Sequence, residues 1–200
     1  MHLIRRITLL FLVFIITFAV GTFGSTVVRA FFYAPDPEIE VPQEKAIVTD
    51  VVSPPTRLRI PALGIDALIQ DVGINSKGNM ATPSNFTDVG WYKHGVSPGA
   101  RGSAVIAGHV NNGLGLSGVF ERLGELQVGD DIYVQREDGS EVHFVVASAR
   151  RYPYDDAPEE IIFNPSGSVR LNLITCEGKW LQENKTYDQR LVIFAKLAGE

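Results

Sequence analysis

Apolar and polar positions divide the chain into three regimes. From Ile7 to Val28 the residues carry no charge and are mostly Leu, Ile, Val and Phe. At about 1.5 Å of rise per residue, such a run spans a bilayer core of roughly 30 Å, which predicts one transmembrane helix. Residues 31–55 break this pattern: Pro35, Pro37, Pro42, Pro54 and Pro55 stand among Asp36, Glu38, Glu40, Glu44 and Asp50. Prolines hold a chain extended and forbid a continuous helix, so this stretch predicts a semi-rigid stalk. From Arg57 onward the apolar residues come in short runs separated by Gly, Pro, Asn and Asp clusters.

Those short runs predict strands. Leu58 and Ile60, then Ile65, Leu68 and Ile69, flank Pro61 and Gly64. Ser103–Ala107 is continuously apolar, as in a strand buried on both faces. Asp131–Gln135 alternates, Gly139-Ser140 closes a hairpin-like turn, and Glu141–Ala147 follows as the partner. Val169–Thr175 and Arg190–Leu197 complete the set, with a helical turn expected near Gly118–Leu123 and another near Pro158–Ile162. Strands this short and this regularly punctuated predict an all-β sandwich or barrel. The organisation expected is therefore residues 1–30 as cytoplasmic tip and signal-anchor, 31–55 as linker, and 56–200 as the domain.

Charge adds an orientation. The formal net charge is −5, yet residues 1–30 hold Arg5, Arg6 and Arg29 and no acid, so about −8 falls on the remainder. Arg5 and Arg6 precede the apolar run, which places the N-terminus in the cytoplasm and the domain outside the cell membrane. A cleaved signal peptide is the alternative, with Val28-Arg29-Ala30 as its cleavage triplet; the apolar run is longer than the roughly 7–15 residues of a signal-peptide core. Nothing resembles a basic nucleic-acid face.

Cys176 is the single cysteine and cannot form an internal disulfide. An unpaired thiol outside the membrane is exposed to oxidation, so its retention points to use as a nucleophile; the plain alternative is a small buried hydrophobe. Two other polar residues stand, like Cys176, where strands meet loops: His109 after Ala104–Gly108, and Arg190 at the start of the last strand. A nearby imidazolium or guanidinium favours the thiolate. His109 has the chemistry of a general acid and base, and Arg190 that of a donor to an oxyanion. His94 reads as a loop residue and His143 as one face of an alternating strand. No His or Cys pair has metal-ligand spacing, so no metal and no cofactor is expected. The Gly113–Gly118 stretch fits Gly-x-Gly-x-x-Gly only superficially, since it follows no clear strand directly and opens no long helix.

Together these residues resemble the sortase family over roughly Arg57 to Gly199. The order is His, Cys, Arg; Asn172-Leu-Ile-Thr-Cys176 is similar to the family's Thr-Leu-x-Thr-Cys with its first Thr replaced; Ile106-Ala-Gly-His109 is similar to its Gly-His strand end. Arg59–Ile65, Val89–Tyr92 and Pro98–Gly102 look most like class F, with classes D and E close. In some class F members the arginine lies nearer the position of Asp188; the two placements differ by two residues and share a strand face.

The resemblance implies a closed eight-stranded β-barrel with short helices and a membrane-anchored cysteine transpeptidase. Such enzymes cleave a sorting motif similar to Leu-Pro-x-Thr-Gly (LPXTG-like) and pass the thioacyl product to an amine on a peptidoglycan precursor or pilin. By position Cys176 is then the nucleophile, His109 the acid and base, and Arg190 the oxyanion and substrate clamp. Thr175 is expected to bind the sorting motif or oxyanion, and Asn111, Trp91 and Trp180 to line the substrate site. Two other readings differ in class. L,D-transpeptidases carry Ser-x-Gly-Cys, which Thr175–Gly178 lacks, and papain-like enzymes reverse the Cys and His order. A tethered, non-catalytic β-barrel binding module with an incidental thiol is the non-enzymatic alternative.

Overall fold

The structure is a computed structural model that describes residues 38–39, 52–112 and 115–200. The expected transmembrane segment and most of the proline-punctuated stretch lie outside the described residues. Among the described residues, no helix is long and apolar enough to cross a membrane.

Among the described residues, ten strands run in order: β1 (Glu38–Ile39), β2 (Pro55–Ile60), β3 (Ile65–Val72), β4 (Ile74–Asn75), β5 (Val89–Tyr92), β6 (Gly102–Ala107), β7 (Asp131–Arg136), β8 (Glu141–Pro153), β9 (Val169–Leu181) and β10 (Thr186–Leu197). A short helix, α1 (Glu159–Ile162), precedes β9, and 3-10 turns lie at Pro61–Leu63 and Leu123–Glu125. Eight strands close into a barrel in the order β10-β8-β7-β2-β3-β5-β6-β9. This selects the barrel over the sandwich that the strand pattern alone leaves open. Closure removes the exposed sheet edges that short strands otherwise present.

Period-2 alternation sorts side chains to two faces. The inner rows fill the barrel: Leu58 and Ile60 of β2, Ala104 and Ile106 of β6, Leu171 and Leu173 of β9, Leu191 and Ile193 of β10. Each fully buried Leu or Ile contributes about 1.5–3 kcal/mol. Phe120, Leu123 and Leu126, from the segment that carries the second 3-10 turn, join this interior. A second cluster forms on the outer face, where Val105, Val192 and Ile174 meet Ile162 and Phe163 at the end of α1. Gly102–Ile106 is buried throughout because the interior covers one of its faces and this outer cluster the other.

Asn172 sits within that outer layer, fully buried between the strands and α1. Its amide nitrogen donates to the carbonyl of Ile162 at 2.6 Å, and its Oδ1 has no protein partner. Asn172 thus ties α1 to the strand that carries Cys176.

Glu38 and Ile39, inside the proline-punctuated stretch, pair antiparallel with β4. Glu38 accepts the backbone N–H of Gly73 at 2.8 Å and pairs with Lys93 at 2.7 Å. The barrel strands also outrun their apolar cores: β8 continues to Pro153 and β9 to Leu181, beyond the expected ends.

Candidate active site

Register brings His109, Cys176 and Arg190 together. β9 lies between β6 and β10 in the barrel. Arg190 is the direct antiparallel partner of Cys176. On the other side, β6 and β9 run parallel with Ala107 opposite Ile174; two residues further along each chain stand His109 and Cys176. Cys176 and Arg190 continue the outer-face rows 172, 174, 176 on β9 and 194, 192, 190 on β10, and His109 stands two residues past the end of β6. Against the sequence expectation, only His109 lies where a strand meets a loop; β9 and β10 run on past Cys176 and Arg190, because their pairing in the hairpin extends beyond the apolar run.

Each group is held by its neighbours. Donation from the His109 Nε2–H to the carbonyl of Pro83 spans 3.1 Å, and the ring packs tilted against Phe86 with centroids 4.8 Å apart. In that tautomer Nδ1 is the nitrogen that takes the working proton. The Arg190 fork is tied back to its own strand: Nη1 donates to the carbonyls of Tyr187 at 3.0 Å and Gln189 at 2.9 Å, and Nη2 to Thr186 Oγ1 at 2.8 Å. Its guanidinium also lies over the Tyr154 ring at 5.9 Å.

Burial sets the protonation states. It pushes the Cys176 thiol above its ordinary 9.0, and the positive charge of Arg190 draws it partly back. The same desolvation holds His109 below its ordinary 6.5, opposed by the bond to Pro83. At neutral pH the resting pair is thiol and neutral imidazole. The reactive thiolate–imidazolium pair is the minor form, favoured by the positive charge of Arg190.

The other expected residues separate into two groups. Asn111 reaches across the site, its amide donating to the Tyr187 hydroxyl at 2.5 Å, and Trp180 stands edge-on to Tyr187 at 5.3 Å. Half-exposed Trp180 therefore borders the site on the β9–β10 hairpin. Trp91 is not brought to it: the residue belongs to the barrel interior, and its indole N–H donates to the Val96 carbonyl at 3.0 Å. Thr175 is buried on the inner row, and its hydroxyl donates to the carbonyl of Gly108 at 2.9 Å. There it couples the nucleophile strand to the residue before His109. Asp188 accepts the backbone N–H of Lys179 at 2.7 Å, within the hairpin.

Sequence reasoning missed Thr186, Tyr187, Pro83 and Gly108. Thr186 carried no local signal: it lies four residues before Arg190 on the same strand, and only the irregular register between Tyr187 and Gln189 accompanies their contact. Gly108 carried the clearest hint, as the one residue between the strand and His109. A Cβ there would stand 2.5 Å from the Phe120 ring, so only glycine permits that packing. Gly118, the last glycine of the superficial phosphate-loop pattern, similarly lies against the carbonyl of His109, which packs that glycine against the residue at the strand end. Among the described residues, no group of three His, Cys, Asp or Glu side chains is placed to hold a metal.

Comparison with known proteins bears on the family and the fold. The family model described as Sortase domain matches residues 58–198. Among solved structures, sortase C-1 from Actinomyces oris is similar at 19% identity and TM-score 0.59, over 84% of this chain and 86% of that one. Sortase C1 of Streptococcus agalactiae, in complex with MTSET, matches at 20% identity and TM-score 0.55, over 72% and 67%. A Clostridium perfringens sortase D5 transpeptidase matches at 18% identity and TM-score 0.54, over 75% and 83%. No curated protein sequence matches the chain.

Proposed function

This chain belongs to the sortase family of cysteine transpeptidases, and from that premise we propose that it is a membrane-anchored enzyme that cleaves an LPXTG-like sorting signal and transfers the protein to an amine. The observation that carries the reading is the placement of Cys176 between His109 and Arg190 on one barrel face.

The chemistry follows from the groups in place. The Cys176 thiolate attacks the carbonyl carbon of the Thr in Leu-Pro-x-Thr-Gly. Arg190 donates to the oxyanion as the carbonyl double bond opens. His109, protonated, gives its proton to the departing glycine amine as the C–N bond breaks, leaving a thioester on Cys176. An acceptor amine, on peptidoglycan precursor or pilin, then attacks that thioester. His109 takes its proton, and the thiolate leaves as the amide forms.

The apolar run Ile7–Val28 and Arg5-Arg6 support a single-pass anchor with the domain outside the cell. Arg59–Ile65, Val89–Tyr92 and Pro98–Gly102 support class F, with D and E near. The test is intact-mass detection of a Cys176 adduct when full-length chain in detergent meets a Leu-Pro-x-Thr-Gly peptide library and an amine. An adduct resolving to amide is expected, lost in Cys176→Ala. Activity persisting in Cys176→Ala would sink the reading.

A further inference from the structure

Arg151 and Glu177 form an ion pair that spans a strand. Leu191 of β10 stands directly opposite Arg151 of β8 on one side and Thr175 of β9 on the other, and Gln189 stands opposite Glu177. Leu191 and Thr175 are buried residues of the inner rows, so parity puts Arg151 and Glu177 on that face too. Their side chains meet across β10 at the barrel mouth. Arg151 Nε donates to Glu177 Oε2 at 2.6 Å, and Nη2 to Oε1 at 3.1 Å. Two donations from one fork fix direction as well as distance. Gly124 of the second 3-10 turn lies against both partners: a Cβ there would stand 3.5 Å from Arg151 Nη2 and from Glu177 Oε1.

Glu177 is also the residue after Cys176. Alternation sends their side chains to opposite faces, and a packed core would keep them apart. At the mouth a cavity of about 200 Å³ replaces that core, and Cys176 and Glu177 both line it, with Thr175, Arg151 and Leu191. The carboxylate is the less exposed half of its pair, at 29% against 53% for Arg151. An unmasked carboxylate in that position disfavours negative charge on the sulfur.

We propose that Arg151 is a positioning residue for the nucleophile: by holding the Glu177 carboxylate in a two-point ion pair, it keeps that charge from opposing the Cys176 thiolate. The inference rests on Cys176 acting as the nucleophile, and it does not depend on which peptide is cut or which amine accepts it.

The other charges around the sulfur have their own places. Arg190 faces it from β10, and His109 stands beyond the end of β6. In the cavity Arg122 pairs with Glu125 at 2.6 Å, and Glu121 is exposed at the rim. Asp188 accepts the Lys179 amide within the hairpin. Glu177 is thus the acid that adjoins Cys176, and its mask comes from a different strand. As a mere brace the pair would matter little, since ion pairs this exposed add little to stability. Its effect on a neighbouring developing charge does not depend on that stability.

Charge gives each variant its own sign. Full-length chain in detergent is alkylated at Cys176 with iodoacetamide across a pH series at low salt. Arg151→Gln leaves Glu177 unmasked and should slow alkylation at neutral pH about three- to tenfold, moving the alkaline limb upward. Glu177→Gln leaves Arg151 without its partner and should speed alkylation. The double variant Arg151→Gln, Glu177→Gln should return to within about twofold of wild type. Arg151→Lys, which keeps the charge, should stay on the wild-type side of Arg151→Gln. In about 1 M salt, where the screening length is about 3 Å, the differences should shrink. Loss of a structural brace would instead move every variant the same way, the double variant included.

Equal alkylation in wild type and Arg151→Gln overturns the proposal, and so does a double variant as slow as Arg151→Gln. The expected pattern of signs without any adduct from the peptide library upholds the mask and overturns the sorting-signal reading instead.

Discussion

Cys176 and Arg190 are directly opposed residues of the β9–β10 ladder, on the same face of the sheet. Directly opposed residues have Cβ atoms about 4.5–5.5 Å apart, so the barrel itself fixes the distance between sulfur and guanidinium. What remains adjustable is the direction of the fork, and Thr186 together with the carbonyls of Tyr187 and Gln189 sets it.

Arg190→Lys is therefore not conservative. An ammonium cannot reproduce the three fork contacts, and loss of an oxyanion donor costs about 10²–10³ in kcat. Thr186→Val removes one charge-assisted contact from the guanidinium, worth about 1.5–3 kcal/mol. We expect a drop in transfer rate of about tenfold or more there, with the fold and Cys176 alkylation retained. Steady-state kinetics of both variants checks this; equal rates for wild type and Arg190→Lys would remove Arg190 from the mechanism.

The pH dependence has a definite sign. His109 titrates below 6.5 and Cys176 above 9.0, so transfer should follow a broad bell with limbs outside those values. Alkylation reads the thiolate alone and should rise only through the alkaline limb. Arg190→Ala must move that limb further up, because the guanidinium stabilises the thiolate. A wild-type alkylation midpoint near pH 7 contradicts this assignment.

Much of this site was legible in the sequence because it depends on parity and order. Runs dominated by apolar residues, such as Ser103–Ala107 and Leu171–Ile174, announce strands, and a polar residue two positions past such a run keeps its face. Partner choice was not legible: nothing local says that β6 runs parallel to β9, or β3 to β5. Trp91 shows the same limit. Its neighbours in sequence suggested a lining residue, but its face of β5 points to the interior. Charged extensions such as Arg150–Arg151 and Glu177–Lys179 hid the ends of β8 and β9, since long barrel strands outlast the core that defines their apolar pattern.

Glu38 gives a stability prediction. Its carboxyl lies below the ordinary 4.5, chiefly through the hydrogen bond from Lys93 and then that from Gly73. A depressed carboxylate contributes above its unfolded value and loses that contribution as pH falls through its folded one. Exposure and salt screen the ion pair. Protection of the Gly73 amide, corrected for the intrinsic pH dependence of exchange, should fall several-fold as pH drops below the ordinary carboxylate value, and at neutral pH in Glu38→Ala, at about 0.5–1.5 kcal/mol for the bond lost. Unchanged exchange at Gly73 in Glu38→Ala would mean that β1 is held without the Glu38 clamp.

Gly108 tests whether the histidine is placed by packing. The residue adjoins His109, accepts the Thr175 hydroxyl through its carbonyl, and faces the Phe120 ring so closely that a Cβ would overlap it. Phe120 is fully buried and cannot withdraw into solvent. In Gly108→Ala the strain must move either the ring or the backbone that carries His109. Overpacking of this kind costs about 1–3 kcal/mol, and a 1 Å displacement of a catalytic group costs about 10²-fold in rate. We expect a few degrees off Tm and a large loss of transfer. Phe120→Leu alone should lower stability, since it removes buried volume. Combined with Gly108→Ala it should restore part of the lost activity, because the smaller side chain vacates the space the new methyl needs. That opposite sign, destabilising alone and rescuing in the pair, separates placement of His109 from a general loss of fold. If the double variant were as inactive as Gly108→Ala, the glycine would matter for some reason other than the ring it faces.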